Sequence, residues 1–257
     1  MNMIQLWIAY KTLTKKELVR CFRIWPQTIV PPAITMTLYF VIFGRLIGSQ
    51  LHSIDGYTYI QYIVPGLVMM AVITSAYMNT SSSFFGAKFQ RSIEELLVSP
   101  MPNYIILFGF ITGGVLRAMI TALVVTSIAL LFTHLNVQHI FLMFLIVLLT
   151  SIFFSTAGLI NGIFAKTFDD VSWIPSFVLT PLTYFGGVFF STAMLSGIWQ
   201  KIAYLDPILY IVNAFRFSLL GISHANIEIS ISFLLFITVS AFFYALYLLR
   251  TSSGLRG

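Results

Sequence analysis

Lys166 and Thr167 form the pair on which a phosphate-binding loop would end, and nucleotide hydrolysis is the first chemistry to test against this chain. Such a loop needs a glycine immediately before the lysine and another five positions earlier, so that bare backbone N–H groups can cradle phosphate. Ala165 and Ile160 stand there, and Gly162 does not restore the spacing. No Gly-Lys-Ser or Gly-Lys-Thr occurs elsewhere, so any ATP driving this protein has to be bound by another polypeptide. His52, His134, His139 and His224 lack metal-ligand spacing, and Cys21, the sole cysteine, excludes both an intrachain disulfide and a thiolate cluster. No His-Glu-x-x-His or Gly-x-Ser-x-Gly is present, which leaves a membrane enzyme without a convergent acid-base set.

The remaining polar chemistry is charge. Phe84 to Pro102 (FFGAKFQRSIEELLVSPMP) lies between two long apolar runs. At helical spacing Phe85, Phe89, Ile93, Leu96 and Leu97 share one face, and Lys88, Arg91, Glu94 and Glu95 gather on the other. The pattern predicts an amphipathic helix, ended by Pro100 and Pro102. A second polar loop, Ala165 to Asp170, carries Lys166, Asp169 and Asp170, whose carboxylates can pair with Lys166 or receive a partner. Arg117 is the only ionisable residue well inside an apolar run. That marks it as a candidate pathway residue, although it lies toward one end, where a long side chain can reach the interface.

The elements that must position these groups are membrane helices. The chain has 257 residues, of which 58% are hydrophobic and 9% charged, with a mean hydropathy of +0.94; soluble domains carry roughly 25% charge. At about 20 residues per span, the apolar runs predict six transmembrane helices. They fall near residues 27–44, 59–79, 118–132, 140–164, 173–190 and 229–249. The fold class is therefore all-α integral membrane, a single domain over 1–257. Residues 1–26 form a cytoplasmic interfacial helix, 27–249 the six-helix membrane region and 250–257 a cytoplasmic tail.

In the interfacial helix, Leu18, Phe22 and Trp25 face one way and Lys16, Glu17, Arg20 and Arg23 the other. Ser155, Thr156, Ala157 and Gly158 make a small-residue packing stripe in the fourth span. Pro175, Pro181, Gly186 and Gly187 break up the fifth. The stretch from Ser191 to Ser223, interrupted by Lys201, Asp206, Pro207, Asn213 and Arg216, reads as short re-entrant or interfacial helices before the last span.

Counting basic residues fixes the orientation. Lys11, Lys15, Lys16, Arg20, Arg23, Lys88, Arg91, Lys166, Arg250 and Arg256 fall on one side, and Arg45, Lys201 and Arg216 on the other. Ten against three places both termini and the charged helix in the cytoplasm. The formal charge of +6 is thereby accounted for by orientation and anionic lipid, not by nucleic acid.

Arg91, Glu94-Glu95-Leu96-Leu97 and Ser99-Pro100 together resemble the signature between the second and third spans of ABC-2 type transporter permeases. Trp199, Asp206-Pro207, Tyr210, Ala214 and Arg216 resemble the pattern before the last span of the same family. The layout matches throughout the chain, and AKTFDD and TPLTYFGG are similar to a branch of drug, nodulation-factor and polysaccharide exporters.

The resemblance implies a permease subunit of an ATP-binding-cassette exporter in the bacterial inner membrane. It would work as a homodimer with two ATPase subunits, which bind the ATP, while this chain itself holds no cofactor. Lys88, Arg91, Glu94 and Glu95 would then sit on the helix that couples to the ATPase, with Lys166, Asp169 and Asp170 beside it, and Arg117 and Arg216 would serve the pathway or the structure. Few midplane charges favour an apolar or amphipathic cargo. An ion-coupled carrier or channel is the alternative, but it would place acids or histidines at the midplane, where this sequence has none.

Overall fold

The computed structural model describes residues 2–48, 54, 56–135, 137–191, 194–222 and 226–251; His52, Asp55, His224 and Arg256 lie outside them. The described residues are helical apart from short connections and one isolated bridge between Ile54 and Tyr57. In chain order the helices are α1 (Met3–Arg23), α2 (Trp25–Tyr39, continued by a π-helical stretch Phe40–Ile47), α3 (Tyr59–Phe89), α4 (Ser92–Val98), α5 (Asn103–Phe132) and α6 (Ile140–Phe164). After these come α7 (Phe168–Ile174), α8 (Thr180–Phe185), α9 (Ile198–Leu205), α10 (Pro207–Leu220) and α11 (Ile227–Thr251).

Among the described residues, five helices are long and apolar enough to cross a membrane: Trp25–Gly44, α3, α5, α6 and α11. A sixth crossing is reached if α9 and α10, which meet at an 81° bend, count as one span. The fifth span expected at 173–190 is not among these helices. That segment is α7, then a π-helical turn Pro175–Leu179, then α8, and the run stops at the Gly186-Gly187 turn. Prolines at 175 and 181 remove backbone donors, so the regular ladder gives way to a wider turn in which Thr180 Oγ1 donates to the Pro175 carbonyl at 2.9 Å.

Helix α3 is the axis of the bundle. Its apolar window is 78% buried, whereas those of α2 and α11 are 17% and 22% buried, so α3 is enclosed by protein and the other two present most of their surface outward. Close packing depends on the small residues of α6 and α5. A Cβ on Gly158 would lie 2.4 Å from the Tyr77 carbonyl oxygen, and one on Gly114 would strike Thr80 and Ser155 side-chain oxygens. Glycine at these points lets backbones approach within a distance that a methyl group would forbid, as the stripe in α6 predicts.

Helix α1 lies along the first half of α5. Leu13 fits over Gly109 and Glu17 over Gly113, where added Cβ atoms would come within 2.3 and 2.7 Å of those side chains. Its buried face is therefore Leu13, Glu17 and Cys21, with Phe22 and Trp25 exposed. Glu17, read from periodicity as part of the charged face, is buried in this contact. The packed side of α1 is chosen by the glycine groove of α5, which a helical wheel of α1 alone cannot display.

Candidate functional site

One end of the bundle collects most of the charged residues singled out in the sequence. The predicted helix over Phe84 to Pro102 is two helices. Helix α3 runs on to Phe89, the chain turns at Gln90 and Arg91, and α4 follows. Arg91 has φ of 57°, the only positive φ among the described non-glycine residues. For an L-residue that conformation costs about 1–2 kcal/mol. It is held by its N–H donating to the Lys88 carbonyl at 3.0 Å and its carbonyl accepting from Glu94 N at 3.1 Å. The break re-aims the amphipathic face. Ile93 is buried beside Phe84 and Ile106, Leu96 and Leu97 are half-buried, and Phe89 is left exposed. Glu94 and Glu95 occupy the first turn of α4, where the helix dipole favours carboxylates; Glu95 and Arg91 are exposed and Glu94 is half-buried.

The second charged loop is brought against the first. Lys88 Nζ donates to the carbonyls of Ile163 (2.7 Å) and Ala165 (2.9 Å), capping the C-terminus of α6 where unpaired carbonyls and the helix dipole favour a cation. Phe168 lies edge-on to Phe85, with centroids 4.9 Å apart, and 5.2 Å from Phe89. Asn161 Nδ2 donates to Ser81 Oγ (3.1 Å) and to the Val171 carbonyl (3.2 Å), tying α6, α3 and α7 together.

Asp170 does not pair with the Lys166 ammonium. Its carboxylate accepts the backbone N–H groups of Lys166 (2.8 Å) and Thr167 (2.9 Å), which hold it below the usual carboxylate range, and Asp170 N donates back to Thr167 Oγ1. Lys88 and Asp170 thus shape the surface, and Arg91, Glu95, Lys166 and Asp169 are exposed on it.

Arg117 turns inward. Its Nη1 donates to Asn79 Oδ1 at 3.3 Å, and Arg20 Nη2 donates to the same oxygen at 2.8 Å and to the Asn79 carbonyl at 3.1 Å. Glu17, only 1% exposed, accepts from Ser83 Oγ (2.6 Å) and from Arg20 (3.3 Å). Two guanidinium groups therefore share one amide oxygen beside one buried carboxylate, locking α1 to α3 and α5. Sequence reading missed this network. Its one visible sign is Asn79, an amide at the end of an apolar run.

At the opposite end, Arg216 is 1% exposed and its guanidinium donates to the carbonyls of Gly187 (2.7 Å) and Tyr62 (3.3 Å) and to Asn213 Oδ1 (3.1 Å), with its cation 4.0 Å from the Tyr62 ring centroid. It fastens the turn after α8 to α3 and α10, which is a structural role. No group of three or more metal-ligating side chains occurs among the described residues.

A polytopic helical bundle with most of its charged side chains collected at one end has the build of a membrane transport subunit. The ABC-2 type transporter family matches residues 8–220, and the chain belongs to that family. It is 50% identical over 250 residues to the inner membrane transport permease YadH of Escherichia coli (strain K12), a match covering 97% of this chain and 98% of that one. It is also similar to Nodulation protein J of Neorhizobium galegae, 20% identical over 245 residues and covering 95% and 92% of the two chains. Nodulation protein J of Rhizobium leguminosarum bv. viciae is 22% identical over 214 residues, with 83% of each chain covered. The chain is a transport permease, the membrane component of an ABC transporter.

Proposed function

We propose that this permease forms the translocation pathway of an exporter driven by a separate ATPase, and that the ATPase docks on the end of the bundle formed by α4 and the Lys166–Asp170 loop. The observation that carries the reading is the fastening of two distant charged segments into one surface through Lys88 and the Phe85–Phe168 contact. A force applied to α4 passes directly into α3, because only the Gln90-Arg91 turn separates them, and α3 packs against both α5 and α6. Closure of an ATPase dimer could in this way reorient the bundle as a rigid body.

The basic asymmetry of the sequence supports a cytoplasmic position for this end, in a bacterial inner membrane. Two copies of the chain would pair across outward-facing helices such as α2, where Val30, Ile34 and Leu38 are exposed, and each copy would hold one ATPase. An amphipathic or lipid-like cargo is supported by a cleft of about 440 Å³ between α5 and α6, lined by Leu116, Met119, Leu123, Met143, Phe144 and other apolar side chains. The test is purification of the chain alone and together with its co-expressed ATPase. The reading expects hydrolysis only in the second case, stimulated by the permease; hydrolysis by the isolated chain would refute it.

A further inference from the structure

Between α1 and the outer third of α3 lies a groove of about 490 Å³ that the transport reading does not use. Lys15, Lys16, Arg20 and Arg23 line it from α1. Hydroxyl and amide groups of Thr12, Ser82, Ser83, Gln90 and Ser92 line it as well. Its only acid is Glu17, which is buried and already engaged by Arg20 and Ser83. The Arg20–Glu17 contact is the single ion pair among the described residues, so Lys15, Lys16 and Arg23 carry charge with no counter-ion among them. A concave surface of cations and hydroxyl donors with one neutralised acid is built for an anion with several acceptor oxygens.

Depth selects the anion. The apolar run of α3 ends at Asn79, so the hydrocarbon boundary along α3 falls near that residue. The groove residues of α3, from Ser82 to Gln90, lie within about 4–17 Å beyond it at 1.5 Å per residue, and the nearer of them fall in the headgroup layer. On the same stretch of α1, Val19 and Phe22 are exposed, as is Trp25 beyond the break at Ile24. Exposed aromatic and aliphatic side chains beside unpaired lysine and arginine suit a lipid interface, whereas a water-facing protein interface would leave the apolar part without a role. We infer that the groove is a binding site for the phosphate headgroup of an anionic phospholipid. Lys15, Lys16, Arg20 and Arg23 take the phosphate there, and Val19, Phe22 and Trp25 flank its glycerol and upper acyl chains.

The test is native mass spectrometry of the full chain in detergent, titrated with phosphatidylglycerol, with phosphatidylcholine and with phosphatidylglycerol in the presence of excess inorganic phosphate. The site predicts retention of phosphatidylglycerol roughly tenfold or more above phosphatidylcholine. Lys16→Gln with Arg23→Gln should weaken that retention by a similar factor, while Lys201→Gln at the other end of the bundle leaves it unchanged. Lys16 and Arg23 are exposed, so the variant keeps its fold, and Lys15→Gln with Lys16→Gln gives an independent pair. Equal retention of the two lipids would overturn the proposal. So would displacement by inorganic phosphate at matched concentration, which would make the ligand a free anion. Unchanged lipid retention in the variants with lost ATPase co-purification would assign the groove to the protein partner instead, and likewise overturn it.

Discussion

The Lys88 ammonium donates to the Ile163 carbonyl at 2.7 Å, joining the end of α3 to the end of α6 across 75 positions of sequence. Together with the bond to Ala165 it gives the surface its shape. A charged hydrogen bond contributes about 1.5–3 kcal/mol when its partner is buried, and less at this half-exposed site. Lys88→Met is expected to lower stability by about 1–3 kcal/mol and to expose the Ala165–Asp170 loop to protease. Thermal unfolding in detergent and mapping of the first cleavage site check this; a wild-type midpoint with an uncut loop would show that the cap is not what holds it.

Asn79 accepts hydrogen bonds from both Arg20 and Arg117. Asn79→Leu is nearly isosteric; it strands the Arg117 guanidinium and takes one acceptor from Arg20, which keeps Glu17 and the backbone carbonyl at position 79, and a loss of about 3–5 kcal/mol is expected. Adding Arg117→Met should return part of it, because one uncompensated cation is removed together with its acceptor. A double-mutant cycle on unfolding midpoints measures the coupling. Strict additivity would mean that the two residues do not act together.

Orientation has its own test. With Cys21 replaced by Ala, a cysteine at Val137 should react with an impermeant thiol reagent added outside intact cells, and one at Lys166 should react only after lysis. Both positions are exposed and lie at opposite ends of the bundle. The reverse pattern would place α4 outside and remove it from any cytoplasmic ATPase.

The sequence and the structure part company for identifiable physical reasons. Hydropathy locates α3, α5, α6 and α11, since a bilayer span needs a long apolar run regardless of its neighbours. The small residues of α6 announce close packing for the same local reason. What periodicity cannot carry is a break or a partner. It draws one helix through Arg91, because only the backbone φ reveals the turn. It turns Glu17 and Arg20 toward solvent, because the glycines of α5 and the amide of Asn79 that receive α1 lie about 60 or more residues away in sequence. It offers Asp170 either Lys166 or a partner, whereas the carboxylate takes the backbone N–H groups of the same loop. Of the proposed docking surface, the residue types were legible and their juxtaposition was not.

The proposed function depends on an ATPase docking on α4. The most direct measurement is co-purification of the tagged permease carrying Glu94→Arg and Glu95→Arg with its ATPase, at equal membrane expression, together with the ATP hydrolysis of the recovered complex. Both side chains lie on the first turn of α4, so reversal costs about 1 kcal/mol of fold stability through the lost dipole interaction. Like charges brought together at an interface suppress association by up to several kcal/mol. Docking through α4 predicts at least a roughly tenfold loss of bound ATPase and of stimulated hydrolysis, with the variant still inserted and folded. Wild-type recovery of the ATPase and wild-type stimulation in the double variant would contradict it.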